Sequence, residues 1–241
     1  MEPAPVAVPE SRRPPLVWLF DIDGTLLLTQ GAGREALSLA LRDEFGVVDD
    51  LSSISFGGRT DLLIVGEIAA RYGLTFDEAV LRRFWDRAAA HMRVLMDPPR
   101  GSLLPGVPAL LESLSAEAGW VSALLTGNVS EMARIKLSSF GVYGHFAWGA
   151  FGEEAPNRDA LAVLAVHRAA ERHGATPDRC VVVGDTEHDI ACARAAGAHV
   201  VAVTTGGRSR EQLAAHGPDL VVRDLADTGP LWDWVAGSLA R

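Results

Sequence analysis

Short runs of apolar and β-branched residues recur along the chain. Runs of this kind predict buried parallel strands, because strands covered on both faces are apolar at nearly every position. The predicted strands are residues 16–22, 120–125, 180–183, 199–203 and 220–222, with a weaker candidate at 145–151. Helical patterns that end at a glycine lie between them, at residues 129–140, 159–173, 190–196 and 209–216. This alternation predicts an α/β fold, in which a doubly wound parallel sheet is covered by helices on both faces.

The stretch from about residue 29 to residue 100 interrupts this alternation. It holds three consecutive helical patterns, at residues 34–45, 61–72 and 76–96, and no convincing strand. We therefore predict an all-helical module inserted after the first strand. The resulting division is a disordered tail (1–15), an α/β core domain (16–28 and 101–241) and a helical cap domain (29–100).

Composition and charge narrow the possible partners. Hydrophobic residues make up 48% of the chain and charged residues 22%, as in a globular protein, and no apolar run reaches the roughly 20 residues that a membrane span needs. The net charge of −9 argues against nucleic acid and anionic membranes as partners. The proline-rich tail has no apolar signal region, and the two cysteines lie in different predicted elements, so we expect a cytoplasmic protein without disulfides. The oligomeric state is left open.

Two carboxylates lie at the C-terminal end of the first predicted strand, in the run Asp21-Ile-Asp23-Gly-Thr. Sites in open α/β sheets lie at the carboxyl ends of strands, and the alternation of side chains places Asp21 and Asp23 on the same side. Asp21 is suited to be a nucleophile, because a carboxylate is ionised at neutral pH and needs no base to activate it. Asp23 can then donate and accept protons. For this pair alone, a strand that simply ends in an Asp-Gly turn is the alternative.

The predicted strand 180–183 ends in a similar way, in Gly-Asp185-Thr-Glu-His-Asp189. Asp185 and Asp189 are four residues apart and would share a helical face. Hard oxygen ligands of this kind suit Mg²⁺. The alternative is that Asp185 is a helix N-cap and Asp189 a surface acid favoured by the helix dipole.

A third strand end reads Leu125-Thr126-Gly127-Asn128 and precedes a helix. A hydroxyl group and free backbone N–H groups at a helix N-terminus can hold an anion. The same three residues are also typical of an ordinary capping turn.

Together, the three strand ends resemble the motifs of the haloacid dehalogenase-like (HAD) superfamily, in its phosphoglycolate phosphatase-like branch. The resemblance extends from about Leu16 to the C-terminus and implies a Rossmann-like core with a helical cap of the C1 type. It implies a Mg²⁺-dependent phosphatase that acts through an aspartyl-phosphate on a small phosphorylated metabolite, such as phosphoglycolate or a sugar phosphate. By this resemblance, Asp21 is the nucleophile and a metal ligand, and Asp23 is the acid/base, with its backbone carbonyl on Mg²⁺. Thr126 binds phosphate together with Gly127 and Asn128. Asp185 and Asp189 bind the metal.

The chain departs from the family pattern at one cation. The family usually has a lysine after the strand that follows the threonine motif, whereas this region reads Glu-Ala-Pro-Asn-Arg158. Arg158 opens a predicted helix near the catalytic edge and is our first candidate for the cation that steadies the phosphate. Lys136, the only lysine in the chain, is the second candidate, although it would have to reach back along its helix. The two side chains are not interchangeable, and both could contribute.

In the cap, Phe56-Gly-Gly-Arg59-Thr60 resembles the substrate-selecting loop of the family. Arg59 could meet a substrate anion, with Thr60 beside it. The alternative is a turn in which Asp61 or Thr60 caps the helix and Arg59 is solvated.

Other activities fit the sequence less well. Dehalogenases of the family lack an acid at the position of Asp23, and phosphonate-cleaving relatives need a cap lysine, whereas Lys136 lies outside the cap. The remaining alternatives are a sugar phosphomutase, which needs a bisphosphate activator, and a phospho-accepting or binding protein without turnover.

Overall fold

A computed structural model describes residues 15–239, so residues 1–14 of the predicted tail lie outside the described part of the chain. The strands are, in chain order, β1 (Leu16–Phe20), β2 (Leu27–Leu28), β3 (Ser102–Leu103), β4 (Trp120–Leu125), β5 (Gly149–Ala150), β6 (Cys180–Gly184), β7 (His199–Val203) and β8 (Leu220–Val222). The helices are α1 (Ala32–Phe45), α2 (Asp61–Tyr72), α3 (Glu78–Leu95), α4 (Val107–Ala116), α5 (Ser130–Ser139), α6 (Arg158–His173), α7 (Glu187–Ala195), α8 (Arg210–Ala214) and α9 (Gly229–Ser238).

Six strands form a parallel sheet in the order β5-β4-β1-β6-β7-β8. Successive residues of β1 point to opposite faces, so that Trp18 and Phe20 join one hydrophobic cluster while Val17 and Leu19 join the other. Helices α4, α5 and α9 cover the first cluster, and α6 and α7 cover the second. Burial on both faces explains why these strands are apolar throughout. The predicted α/β class with a doubly wound parallel sheet is confirmed.

The central position of β1 brings three strand ends to one edge. Phe20 is paired with Leu124 of β4 on one side and with Val183 of β6 on the other. The residues that follow these three strands are therefore neighbours in space, although they are far apart in the sequence.

The three helices α1, α2 and α3, called here the cap helices, are inserted between β2 and β3. These two short strands pair antiparallel, with Leu27 opposite Leu103, and bring the two ends of the insertion together. The cap helices share a hydrophobic cluster that also includes Val129, Met132 and Ile135 at the start of α5. That the insertion is a separate domain stays a prediction.

Several bounds differ from the sequence-based prediction. β1 ends at Phe20 rather than at residue 22, and only Gly149–Ala150 of the weak candidate 145–151 forms a strand. Four elements were not predicted from the sequence: α4 and α9, each of which has a proline in its first turn, and the short strands β2 and β3. Among residues 15–239, no helix has the length and apolar character needed to cross a membrane.

Candidate active site

Asp21 lies at the sheet edge directly beyond β1. Its N–H donates to the carbonyl oxygen of Val183 (3.0 Å), which continues the pairing with β6 by one residue. The Asp21 carboxyl group is almost fully buried and lies 3.1 Å from Nη2 of Arg158. The nucleophile predicted from the sequence is thus held in place by backbone pairing and faces a buried cation.

Arg158 is the first residue of α6, whose N-cap Asn157 accepts a hydrogen bond from the N–H of Ala160 (2.9 Å). The same Nη2 that contacts Asp21 donates to Oδ1 of Asp189. Burial works to lower the pKa of Arg158, but the Asp189 and Asp21 carboxylates outweigh it and hold that pKa well above its usual range. The guanidinium is therefore a permanent charge between two acids.

Asp189 is held by a capping box at the start of α7. The N-cap residue is Thr186, whose N–H (3.0 Å) and hydroxyl (2.7 Å) both donate to Oδ2 of Asp189. The alternative in which Asp185 is the N-cap is therefore wrong. Asp189 is completely buried, so the alternative of a surface acid is wrong as well.

Asp185 completes a cluster of three buried carboxylates. One oxygen from each of Asp21, Asp185 and Asp189 lies within 4.8 Å of the other two. The hydroxyl of Thr25 donates to Oδ1 of Asp185 (3.1 Å). Gly24 allows this approach: its φ is +86°, and a Cβ there would lie 2.6 Å from Oδ2 of Asp185.

The electrostatics of this cluster fit a divalent cation. Burial raises the pKa of Asp21 to about 6, although Arg158 opposes the shift. Burial, together with the charges of Asp189 and Asp21, raises the pKa of Asp185 to about 8. Crowded carboxylates whose ionised forms are disfavoured are relieved by a cation, and carboxylate oxygens are the ligand type that Mg²⁺ prefers. The donor set therefore fits the expected metal, with Asp189 the least available because its oxygens already accept from Arg158 and Thr186.

Asp23 faces a different cation. Nζ of Lys136 donates to both of its carboxylate oxygens (2.8 and 2.6 Å) and to Oδ1 of Asn128 (2.7 Å). Nδ2 of Asn128 also donates to Oδ2 of Asp23 (2.8 Å). Lys136 is buried, whereas the side chain of Asp23 is 42% exposed. Two groups thus fix the orientation of a carboxylate that remains open to the cavity.

Thr126 is completely buried behind Asn128. Its Oγ1 accepts hydrogen bonds from the backbone N–H (3.3 Å) and Nδ2 (2.8 Å) of Asn128. These bonds leave the hydroxyl proton of Thr126 available to donate. Its contact with phosphate stays a prediction, whereas Gly127 and Asn128 line the cavity directly.

A cavity of about 470 Å³ joins this edge of the sheet to the cap helices. The core side carries Asp21, Asp23, Lys136, Arg158 and Asp185, and the remaining wall comes mainly from α1 and from residues 56–60, called here the cap loop. The predicted catalytic, metal-binding and substrate-binding residues therefore meet here, apart from Asp189, Thr60 and Thr126, which lie behind the wall.

The polar side chains of the cap loop are less available to a substrate than the sequence suggested. Arg59 lines the cavity, but its Nη1 forms an ion pair with Oε2 of Glu67 (2.6 Å). Thr60 is fully buried and caps α2 by accepting from the N–H of Leu63 (3.4 Å), as one of the two interpretations expected. Arg59 is therefore partly neutralised by Glu67 of α2, the helix that follows the cap loop.

Three residues have a place at this site that was not predicted from the sequence. Asp61 links cap to core, because its N–H donates to the carbonyl of Gly127 (2.7 Å) and its Oδ2 accepts from the N–H of Val129 (2.9 Å). Thr25 contacts Asp185, and Arg34 lines the cavity from α1. Thr25 belongs to the first motif and could have been predicted from it. Asp61 and Arg34 differ from other charged helix residues only in lying at the cavity, which the sequence does not show.

Comparisons with known proteins identify the family of the chain. The model of the "haloacid dehalogenase-like hydrolase" family matches residues 18–194, and a second model, "HAD-hyrolase-like", matches residues 161–228. The phosphoglycolate phosphatase of Rhodospirillum rubrum is 31% identical over 233 residues, which cover 92% of this chain and 91% of that protein. The probable phosphatase IndB of Dickeya dadantii is 30% identical over 219 residues, covering 88% and 91% of the two chains.

Solved structures share the fold. A hydrolase from Pseudomonas syringae aligns with a TM-score of 0.66 at 24% identity and covers 90% of this chain and 98% of its own. CbbY from Rhodobacter sphaeroides, crystallised with phosphate, aligns with a TM-score of 0.68 at 20% identity and covers 89% and 96%. The first family model matches well over half of this chain, and the acidic motifs meet at one sheet edge. The chain therefore belongs to the haloacid dehalogenase-like hydrolase family, and it is a hydrolase.

Proposed function

We propose that this hydrolase is a Mg²⁺-dependent phosphatase that releases phosphate from a small phosphomonoester through an aspartyl-phosphate on Asp21. The observation that carries the proposal is the meeting of Asp21, Asp185 and Arg158 at the floor of a cavity whose rim holds Asp23. The phosphatases from Rhodospirillum rubrum and Dickeya dadantii, similar along nearly their whole length, support the same reaction class.

In the first step, an oxygen of Asp21 attacks phosphorus and the bond from phosphorus to the ester oxygen breaks. The electron pair of that bond goes to the leaving oxygen, which takes a proton from Asp23. In the second step, water attacks the phosphoryl group, Asp23 accepts its proton, and the bond from phosphorus to the Asp21 oxygen breaks. Lys136 and Asn128 hold the Asp23 carboxyl group in a fixed orientation for both transfers.

The approach of a carboxylate to a phosphate needs positive charge. Each pair of unit charges 4 Å apart repels by about 4 kcal/mol at an effective dielectric constant near 20. Arg158 supplies a fixed charge beside Asp21. Asp21, Asp185 and the backbone carbonyl of Asp23 would hold Mg²⁺, with Asp189 behind them. When bound, Mg²⁺ supplies further positive charge that offsets this repulsion.

Phosphate binding is assigned to the loop before α5. Gly127 and Asn128 line the cavity where α5 begins, and the N-terminus of a helix offers free N–H groups and a favourable dipole to an anion. Thr126 contributes its hydroxyl proton. Arg59, which lines the cavity, remains a proposed substrate-binding residue at the cap, whereas Thr60 is buried behind the wall and is proposed to act only by holding the cap loop through its cap on α2. Phosphoglycolate and sugar phosphates are the proposed substrates.

The decisive experiment is Asp21→Asn, assayed for inorganic phosphate release from a panel of phosphomonoesters with Mg²⁺ and without a bisphosphate activator. Wild type should release phosphate, and the variant should lose at least about 10³-fold in kcat while keeping its fold, because the amide is a poor nucleophile of the same shape. Comparable turnover by the variant would reject the mechanism. Turnover by wild type only when a bisphosphate is added would favour the mutase alternative.

A further inference from the structure

The loop after β7 contacts both acidic motifs of the site. In this loop, which consists of residues 204–208 and is called here the β7 loop, Thr205 donates to the backbone of the first motif and Gly206 approaches Asp185. We propose that Thr205 and Gly206 are positioning residues that hold the metal site in the arrangement that Mg²⁺ requires, because Mg²⁺ demands ligands in near-octahedral geometry. The assignment rests on the proposed function and deepens it, since it concerns the same metal site.

Thr205 holds the turn that follows Asp23. Its hydroxyl donates to the carbonyl oxygen of Gly24 (2.6 Å), and the N–H of Gly24 donates to the carbonyl oxygen of Leu27 (3.0 Å). The N–H of Gly24 shares a planar peptide group with the carbonyl of Asp23, which is a proposed metal ligand. A turn that is held at both the N–H and the carbonyl of Gly24 therefore also sets the direction of that ligand oxygen.

The same turn orients the carboxylate of Asp185. The residue after Gly24 is Thr25, which is completely buried and whose hydroxyl donates to Oδ1 of Asp185 (3.1 Å). Because the carbonyl of Gly24 belongs to the peptide group that leads into Thr25, a shift of this carbonyl would also move the hydroxyl that Asp185 accepts from. The hydrogen bond from Thr205 thus acts on two proposed metal ligands at once.

Gly206 leaves room for the other oxygen of Asp185. A Cβ on Gly206 would overlap Oδ2 and Cγ of this carboxylate. The φ of Gly206 is not positive, so the backbone conformation does not itself require glycine, and the close approach of Asp185 is what excludes a side chain there. A Cβ on Gly24 would also lie 2.6 Å from the same Oδ2. Two glycines from different loops therefore confine this oxygen.

Arg208 connects the far end of the β7 loop to α7. Its Nε and Nη2 donate to the two carboxylate oxygens of Glu187 (2.9 and 3.0 Å), which is a bidentate pair. Glu187 is the first residue of α7 and lies two residues after Asp185. The β7 loop is therefore attached to the first motif through Thr205 and to the second through Arg208, and both attachments restrict its movement relative to Asp185.

Calorimetric titration of the folded protein with Mg²⁺, without substrate, tests the proposal. Thr205→Val should weaken Mg²⁺ binding at least about tenfold, since the loss of a group that orients metal ligands typically costs about 10- to 100-fold in affinity. Thr205→Ser keeps the hydroxyl and should recover most of the affinity. The matched control is Thr204→Val, because the hydroxyl of this neighbouring residue donates to the carbonyl of Arg223 (3.0 Å) and orients no proposed ligand.

A second variant addresses Asp185 directly. Gly206→Ala should also weaken Mg²⁺ binding at least about tenfold, because the added methyl group displaces the carboxylate. Gly237→Ala in α9 is its control, since nothing lies within 4 Å of a Cβ there. Urea unfolding in the presence of a chelator shows that each variant is folded. Thr205→Val and Thr204→Val each lose one hydrogen bond and should lose similar stability, so only the affinity for Mg²⁺ separates them.

Unchanged Mg²⁺ affinity in Thr205→Val or in Gly206→Ala overturns the role of that residue, and an equal loss in Thr204→Val overturns the role of Thr205. These results leave the proposed function intact if wild type binds Mg²⁺ and releases phosphate. Wild type that binds no Mg²⁺ overturns both this proposal and the proposed metal dependence.

Wild type that binds Mg²⁺ with the expected losses in the variants, but releases no phosphate from any phosphomonoester, supports the positioning roles and rejects the phosphatase.

Discussion

At the scale of single residues, each of the two acids after β1 has its own cation: Arg158 contacts Asp21, and Lys136 contacts Asp23. The sequence presents them as rivals for one position beside the phosphate. In the structure, Arg158 lies 3.1 Å from Asp21 and Lys136 lies 2.6 Å from Asp23. The two cations therefore have distinct partners, and their loss should have distinct consequences.

We expect Arg158→Gln to lower the free energy of unfolding by about 3 kcal/mol or more, because it leaves the buried Asp21 and Asp189 without their cation. Lys136→Gln should cost about 1 to 2 kcal/mol, since water reaches the exposed side of Asp23. Urea unfolding in the presence of a chelator measures both. An equal or larger cost for Lys136→Gln would contradict this assignment.

Asp61 gives a residue-scale prediction for pH. Burial raises its pKa from 3.8 to about 6; the charges of Asp23 and Glu153 add to the shift, and Lys136 and the N–H of Val129 oppose it. The folded state thus holds this proton more tightly than the unfolded chain, so the contribution of Asp61 to stability is full below about pH 3.8 and is lost as the pH rises through about 6.

Asp61→Asn should therefore match wild type below about pH 4 and exceed its stability by about 1 to 2 kcal/mol above pH 6, a figure that allows for partial solvent access to the side chain. Urea unfolding at pH 4, 6 and 7.5 measures the difference. The exposed Asp233→Asn is the control and should show no such trend. A difference in unfolding free energy between Asp61→Asn and wild type that stays constant with pH would count against a raised pKa of Asp61.

At the scale of elements, the start of α2 contacts the loop between β4 and α5. A Cβ on Gly127 would lie 2.1 Å from the carbonyl oxygen of Arg59, and that of Gly152 would lie 2.0 Å from the carbonyl oxygen of Gly127. The backbone of the cap loop therefore rests directly on the loop proposed to bind phosphate, with no side chain between them.

Gly127→Ala should force these two segments apart. We expect a loss of about 1 to 3 kcal/mol in stability, as for other overpacked sites, together with a lower kcat/KM. Gly144→Ala is a suitable control, because nothing lies within 4 Å of its Cβ and its φ is not positive. Thermal unfolding and steady-state kinetics of both variants test the contact, and equal behaviour of the two would refute it.

At the scale of the whole molecule, Mg²⁺ should couple the site to stability. A ligand at about 100 times its Kd stabilises the folded state by about 2.7 kcal/mol, which corresponds to a Tm increase of about 5 to 10 °C for a protein of this size. Asp185→Asn should remove this increase, and a chelator should abolish phosphate release by wild type. The exposed Asp86→Asn is the control and should keep both responses. A Tm that Mg²⁺ leaves unchanged would reject the metal site.

The main architecture was predictable from the sequence because it depends on local pattern. Apolar runs such as Cys180–Gly184 read as strands buried on both faces, and the prediction of α2 matches its observed bounds. The helices α4 and α9, each with a proline in its first turn, were not predicted, and β2 and β3 are too short to show a period.

The candidate site also has features that the sequence determined and features that only the tertiary structure decided. The motifs around Asp21, Thr126 and Asp185 are contiguous in the sequence, and their positions after parallel strands place them at a common edge, so the sequence alone determined the carboxylate cluster and the family. The tertiary structure decided which cation faces which acid, that Glu67 engages Arg59, and that Arg34 faces the cavity. Such partners belong to separate elements, and the directions in which helices present their side chains are set by packing rather than by local sequence.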